Sequence, residues 1–189
     1  MGQLIMWNLI TLDGFFEGPT PWSLEWHSTV WGPELERLST EQLHGAERLL
    51  FGRRTYEGMA AYWQSEKGAA EGEAGVLMNS LPKVVVSHTL ERATWNNSTL
   101  ISSDAIGRIA RLKREGQRPT YVFGSAELSA SLLEHGLFDE LRILVAPTVI
   151  GAGKPLFGRG KPGPKLELLD AQVFASGGVR LRYRPTAIA

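Results

Sequence analysis

The chain has 189 residues, 43% hydrophobic and 21% charged, which suits one folded domain over 1–189 and excludes wholesale disorder. Twenty basic side chains balance twenty acidic ones, so the formal net charge is zero, which argues against a general nucleic-acid binder. The absence of cysteine removes disulfide scaffolds, thiolate zinc sites, iron–sulfur clusters and thiol catalysis.

No stretch is apolar for long enough to span a bilayer. Met1 to Met6 lacks the basic region of a signal peptide and misses the myristoylation pattern, because Met6 stands where Ser or Thr is needed. The simplest expectation is a cytoplasmic protein with neither membrane nor nucleic-acid partner.

In chain order, Leu4 to Leu12 reads as a strand buried on both faces, ended by the turn pair Asp13-Gly14. Phe15 to Trp31 is rich in Gly, Pro and aromatics without a period, and reads as a functional loop. Pro33 opens a helix, with Glu34 and Glu36 favourable in its first turn and Gly45 able to end it. Arg48 to Gly52 is a second strand and Arg54 to Trp63 a helix. Ser65 to Gly75 is a polar surface excursion that becomes helical towards Asn79.

Lys83 to Ser87 is a β-branched strand, and Leu100 to Ser102 a short one. Ser103 is placed to cap a helix running through Glu115. Pro119 to Phe123 forms another strand, followed by Gly124-Ser125 and a helix from Ala126 to His135. This alternation predicts an α/β fold, a mostly parallel sheet with helices on both faces. Glu140 to Ile150, Leu166 to Phe174 and Val179 to Tyr183 are β-rich, and Ser176-Gly177-Gly178 is a hairpin signal. The C-terminal third therefore adds antiparallel strands.

The histidines, His27, His44, His88 and His135, show no metal-ligand spacing, so no metal is expected. No Gly-x-Ser-x-Gly elbow and no Gly-x-Gly-x-x-Gly occurs. Gly151-Ala152-Gly153-Lys154 resembles part of a phosphate loop, but Pro155 replaces the required Ser or Thr, and a Gly-rich turn is the better reading. Two strand-to-helix junctions stand out. In Phe51-Gly52-Arg53-Arg54-Thr55-Tyr56-Glu57, a helix start with its unpaired N–H groups meets two guanidiniums and a hydroxyl, which makes a phosphate site. The competing reading is two solvated arginines and a Thr cap. In Val122-Phe123-Gly124-Ser125-Ala126-Glu127-Leu128, small residues permit a ligand to touch the backbone; an ordinary turn capped by Ser125 is the alternative. Ser87-His88-Thr89 lies at a third strand end. Ligands of open α/β sheets bind outside such carboxyl ends, and a dinucleotide suits several phosphate-ready turns around an apolar slot.

At these residues the sequence resembles the dihydrofolate reductase-like family, in its bacterial branch related to the C-terminal reductase domain of the riboflavin-biosynthesis deaminase/reductase. The matching segments are Thr11-Leu12-Asp13-Gly14-Phe15, Gly52 to Glu57, Leu81 to Ser87, Phe123-Gly124-Ser125, and Asp139-Glu140-Leu141 through Pro147 to Gly151-x-Gly153 and Leu156-Phe157. They span nearly the whole chain.

The resemblance implies NADPH as cofactor. Arg53 would face the adenosine 2′-phosphate, with Ser87 and His88 beside it. Arg54 and Thr55 would meet the pyrophosphate after Gly52, and Gly124, Ser125, Ala126, Glu127 and Leu128 would line the other side. The family often has a cis Gly-Gly step here, where this chain has Gly124-Ser125. The loop from Leu12 to Gly18 would cover the nicotinamide, with Leu9 and Phe16 near the ring.

Hydride transfer needs no protein nucleophile, because the coenzyme carries the chemistry. Reduction of a C=N bond still needs a proton, and Glu25, close after Pro21-Trp22, is the candidate donor; an exposed loop carboxylate is the other reading. Two departures argue against folate itself. Leu81 falls where an arginine would grip the glutamate tail, and Leu144 where a threonine would support the pterin-binding acid. Trp7, Trp22 and Phe123, with Trp26, offer aromatic faces for a flat heterocycle, unless they belong to the core. The implied activity is NADPH-dependent reduction of a pyrimidine or pteridine relative of the riboflavin-pathway ribosylaminouracil, by a homodimer. No zinc motif of the accompanying deaminase is present. The alternative is a nucleotide-binding regulatory protein that kept the fold without turnover.

Overall fold

The computed structural model describes residues 1–158 and 163–186. The strands are β1 (Leu4–Thr11), β2 (Phe15–Glu17), β3 (Arg48–Gly52), β4 (Lys83–Val86), β5 (Ser98–Ile101), β6 (Thr120–Phe123), β7 (Glu140–Ala146), β8 (Lys154–Pro155), β9 (Leu166–Val173) and β10 (Val179–Pro185). The helices are α1 (Pro33–Gly45), α2 (Arg53–Trp63), α3 (Glu66–Ala70), α4 (Glu73–Ser80), α5 (Ala105–Glu115) and α6 (Ala126–Glu134). Eight strands form one sheet in the order β5-β4-β3-β6-β1-β7-β10-β9. The first six are parallel, and β10 and β9 add antiparallel pairs at the C-terminal edge, as the sequence predicts.

Both faces of the sheet are covered. Leu35 of α1, Tyr56 of α2 and Met78 of α4 pack on one side with Trp7, Phe51 and Leu144. Ile109 of α5 and Leu132 of α6 pack on the other with Met6, Val122 and Ile143. β1 is therefore covered on both faces, which is why it reads as an apolar run whose polar members, Asn8 and Thr11, are themselves buried. Among the described residues, no helix is long and apolar enough to cross a membrane.

Several boundaries differ from expectation. Asp104, not Ser103, caps α5: its carboxylate accepts the N–H of Gly107, three residues on, where a cap side chain reaches. The strand from Glu140 stops at Ala146, because Pro147 cannot donate to the ladder. Residues 66–70 of the polar excursion are helical, with Ser65 accepting from Gly68 N. The Phe15 to Trp31 segment is not irregular throughout. It contains β2, paired with β8, and a 3-10 turn over Glu25–Thr29 that buries Trp26. The predicted hairpin forms, with Gly177 at φ +84°.

Candidate functional site

Neighbours β4, β3, β6 and β1 run parallel, so their C-terminal ends share one rim of the sheet. That rim gathers Ser87-His88 after β4, Gly52-Arg53 after β3, Gly124-Ser125 after β6 and Leu12-Asp13 after β1. The convergence expected of the three junctions follows from strand order alone.

The two middle junctions are tied together. Gly52 N donates to Ser125 Oγ at 2.8 Å, Ser125 Oγ donates to the Phe123 carbonyl at 3.2 Å, and Ser125 N donates to Thr55 Oγ1 at 3.1 Å. Gly124 and Ser125 both take left-handed backbone, at φ +55° and +58°. A methyl on Gly124 would lie 3.1 Å from Thr55 Cγ2, so this approach needs glycine. Neither Thr55 nor Ser125 caps its own helix, contrary to the simpler reading of each. α2 starts at Gly52 and α6 at Ser125 without a side-chain cap, so the first-turn N–H groups of both helices face the rim unclaimed by side chains.

Ser125→Ala removes the acceptor of Gly52 N and the donor to Phe123. It is expected to destabilise the protein by roughly 1–2 kcal/mol, measured by urea unfolding. Ser125→Gly restores part of this by relieving the left-handed backbone.

Arg54 is exposed and has no ion-pair partner among the described residues. Arg53 is held against Glu57, one turn on, with Nη1 at 3.2 Å from Oε2. Ser87 is buried, and its hydroxyl accepts from Thr89 N at 3.1 Å and Leu90 N at 2.9 Å, closing its own turn. His88 is exposed; its Nδ1 lies 2.7 Å from the Ser102 carbonyl and therefore carries the hydrogen there, leaving Nε2 for another partner.

Along the far wall, Leu9, Phe16 and Leu128 are half-buried and Ala126 is buried. Glu127 is exposed and pairs with Lys154 at 3.3 Å, and Lys154 Nζ stands 5.9 Å from the Phe16 ring centre. Lys154 is thus a rim cation and more than part of a Gly-rich turn, and the Gly-Ala-Gly-Lys run is its signal in the sequence. Gly18 is buried, donates to the Ser23 carbonyl, and has no room for a side chain beside Ser23.

The aromatic candidates separate. Trp7 is 5% exposed and lies in the core with Trp26, so it is not free to stack on a ligand. Phe123 is half-buried and stacked on Phe51 at 6.2 Å. Trp22 is 41% exposed and sits at φ +65°. Its backbone N–H donates to Glu17 Oε1 at 2.7 Å, and its indole lies against Gly58 of α2, where any methyl would overlap it. Gly58 is a seat that sequence reasoning missed.

Glu25 does not have the setting of a proton donor. It is exposed, and its own backbone N–H together with the Ser23 hydroxyl, 3.0 Å away, holds its carboxyl below the usual range. A group so held stays ionised at neutral pH, whereas a general acid needs a raised pKa. The neighbouring His27, edge-on to Trp26 at 4.4 Å, is pushed down to about 4 by burial and is neutral. A surface hollow of about 480 Å³, lined by Pro33, Glu36, Arg37, Thr40, Glu41, His44 and Glu73, shares no residue with the rim.

This is an open α/β sheet with two uncapped helix starts at its carboxyl rim, and the architecture is dihydrofolate reductase-like. The chain belongs to the RibD C-terminal domain family, whose model matches residues 3–179. It is 29% identical over 182 residues to the uncharacterized protein YyaP of Bacillus subtilis (strain 168), covering 96% of this chain and 94% of YyaP. The diaminohydroxyphosphoribosylaminopyrimidine deaminase/5-amino-6-(5-phosphoribosylamino)uracil reductase of Thermotoga maritima superposes with a TM-score of 0.69 at 17% identity, over 98% of this chain and 57% of that one. Dihydrofolate reductase from Enterococcus faecalis, solved with NADP(H), superposes with a TM-score of 0.62 at 13% identity, over 98% of each chain.

Proposed function

We propose that the chain is an NADPH-dependent reductase of a small heterocyclic substrate, a pyrimidine or pteridine relative of the ribosylaminouracil reduced in riboflavin synthesis. One observation carries this reading: the β3–α2 and β6–α6 junctions are knitted side by side, and both helices open without side-chain caps. That donor set fits a pyrophosphate, with the uncapped N–H groups and positive dipole ends of two adjoining helix starts and Arg54 unpaired beside them. The family membership and the NADP(H)-binding reductase of like fold support it.

In this assignment Arg53 and His88 Nε2 hold the 2′-phosphate, and Arg54 with the first turns of α2 and α6 holds the pyrophosphate. Leu9, Phe16 and Leu128 exclude water from the nicotinamide. Bound NADPH supplies the hydride. Phe123 and Trp22 supply the aromatic contacts to the heterocycle. Leu144 is fully buried and apolar, so a folate-like polar anchor has no place there. The same reading expects a homodimer: β9 is the outermost strand of the sheet, and Leu166, Leu168 and Val173 on it are exposed.

The setting of Glu25 favours a second reading, a nucleotide-binding protein without turnover. Following NADPH absorbance with a panel of aminouracils and pteridines separates the two. Oxidation with at least one member supports the reductase. Tight NADPH binding with no oxidation across the panel supports the binding protein.

A further inference from the structure

Asp13 draws on donors from two distant parts of the chain. Thr11 Oγ1 donates to its Oδ1 at 2.6 Å, while Gly151 N and Ile150 N donate to its Oδ2 at 2.8 and 3.2 Å. Thr11 is fully buried and also accepts the N–H of Phe15 at 3.0 Å, so the turn after β1 is bracketed from inside. The two segments then run together. Leu12 N donates to the Thr148 carbonyl, Leu156 N donates to the Gly14 carbonyl, and β2 pairs with β8. Gly151 sits at φ +73°, and Gly153 lies so close to the Glu17 carbonyl that no side chain fits. The far end of this unit carries Phe16 and Lys154, and Lys154 reaches Glu127 in the first turn of α6.

Residues 12–18 and 148–156 are thus one two-stranded flap. It leaves the sheet at the ends of β1 and β7 and touches down at the start of α6. We infer that Asp13 is a positioning residue: its carboxylate locks the two halves of the flap together and so fixes Phe16 and Lys154 beside the coenzyme. The locking is a property of the chain alone. Its effect on the coenzyme rests on the NADPH reading above. Asp13 itself touches only protein groups, and no other side chain at the turn offers acceptors to both Ile150 N and Gly151 N.

Asp13→Ala and Asp13→Asn test this in two arms, with melting temperature as the check on folding. In the coenzyme-free protein, amide exchange over residues 148–156 is expected to speed up about ten-fold or more in Asp13→Ala, with residues 83–86 unchanged. Asp13→Asn, which keeps one carbonyl oxygen for Gly151 N, falls between. In the second arm NADPH affinity weakens about ten-fold in Asp13→Ala, with partial rescue in Asp13→Asn, and with a reducible substrate the KM for NADPH rises more than kcat falls. Unchanged exchange in a folded Asp13→Ala overturns the lock. Faster exchange with wild-type NADPH affinity overturns the positioning role. Wild-type protein that fails to bind NADPH overturns the coenzyme reading and the positioning role with it, while the exchange arm still decides the lock.

Discussion

Arg53→Ala is expected to weaken NADPH binding about ten- to a hundred-fold while leaving NADH within about two-fold, as read by calorimetry. The two coenzymes differ only in the 2′-phosphate, so a cation assigned to that group registers in their ratio and not in both affinities. A hydrogen bond to a charged partner contributes roughly 1.5–3 kcal/mol, and each 1.4 kcal/mol is a factor of ten. In the free protein Arg53 leans on Glu57, but an exposed pair one helical turn apart is worth only about 0.3–0.5 kcal/mol, so a phosphate dianion displaces it readily. Glu57→Gln therefore tightens NADPH by no more than about two-fold. Because Arg53 is part-exposed, the preference shrinks as salt is raised. An equal loss for both coenzymes would move the 2′-phosphate away from Arg53.

The order of strands and helices is legible because most parallel strands carry a short run of apolar, often β-branched residues and most helices have a local start or stop. Pro33 and Gly45 bound α1, and Arg48 to Gly52 is β3 to the residue. Strand order brings Gly52, Ser87 and Gly124, each marked by its own junction motif, to one rim. What stayed hidden depends on partners far along the chain. β2 is three residues long, and its partner β8 lies about 140 residues away, so neither has a periodicity to read. Ser125 looked like a cap because a serine before a helix usually is one, yet its hydroxyl is taken by Gly52 N from another junction. Asp13-Gly14 looked like a turn pair alone, and only tertiary structure brings Gly151 to its carboxylate. Trp7 looked free to stack because aromatic residues serve cores and ligands alike; burial assigns it to the core.

Lys83 is the sharpest case of hidden burial. At the first position of a strand a lysine reads as exposed, yet this one is 1% exposed. Its ammonium donates to the carbonyls of Asn79, Leu81 and Asn96 at 3.1, 2.7 and 3.1 Å and lies 4.5 Å from the Trp95 ring centre. Asn79 and Leu81 close α4, so the cation completes carbonyls that the helix leaves open. Trp95 in turn donates through its backbone N–H to the Tyr56 hydroxyl at 2.7 Å, and Tyr56 follows Thr55 in α2. Lys83→Met keeps the stem and strips all three donors, leaving buried carbonyls unpaired. The expected cost is about 3–5 kcal/mol, a fall in Tm of roughly 6–20 °C for a domain of this size. Burial also pushes the Lys83 ammonium down from 10.5 to about 8, so it is charged at neutral pH. Between pH 8 and 10.5 the unfolded chain therefore holds a proton that the native protein has released, and native stability gains with rising pH. The stability gap between wild type and Lys83→Met accordingly widens across that window, measured by urea unfolding at each pH. A melting temperature within about 2 °C of wild type would show that the three carbonyls find other partners, and a gap independent of pH would show that Lys83 titrates alike in both states.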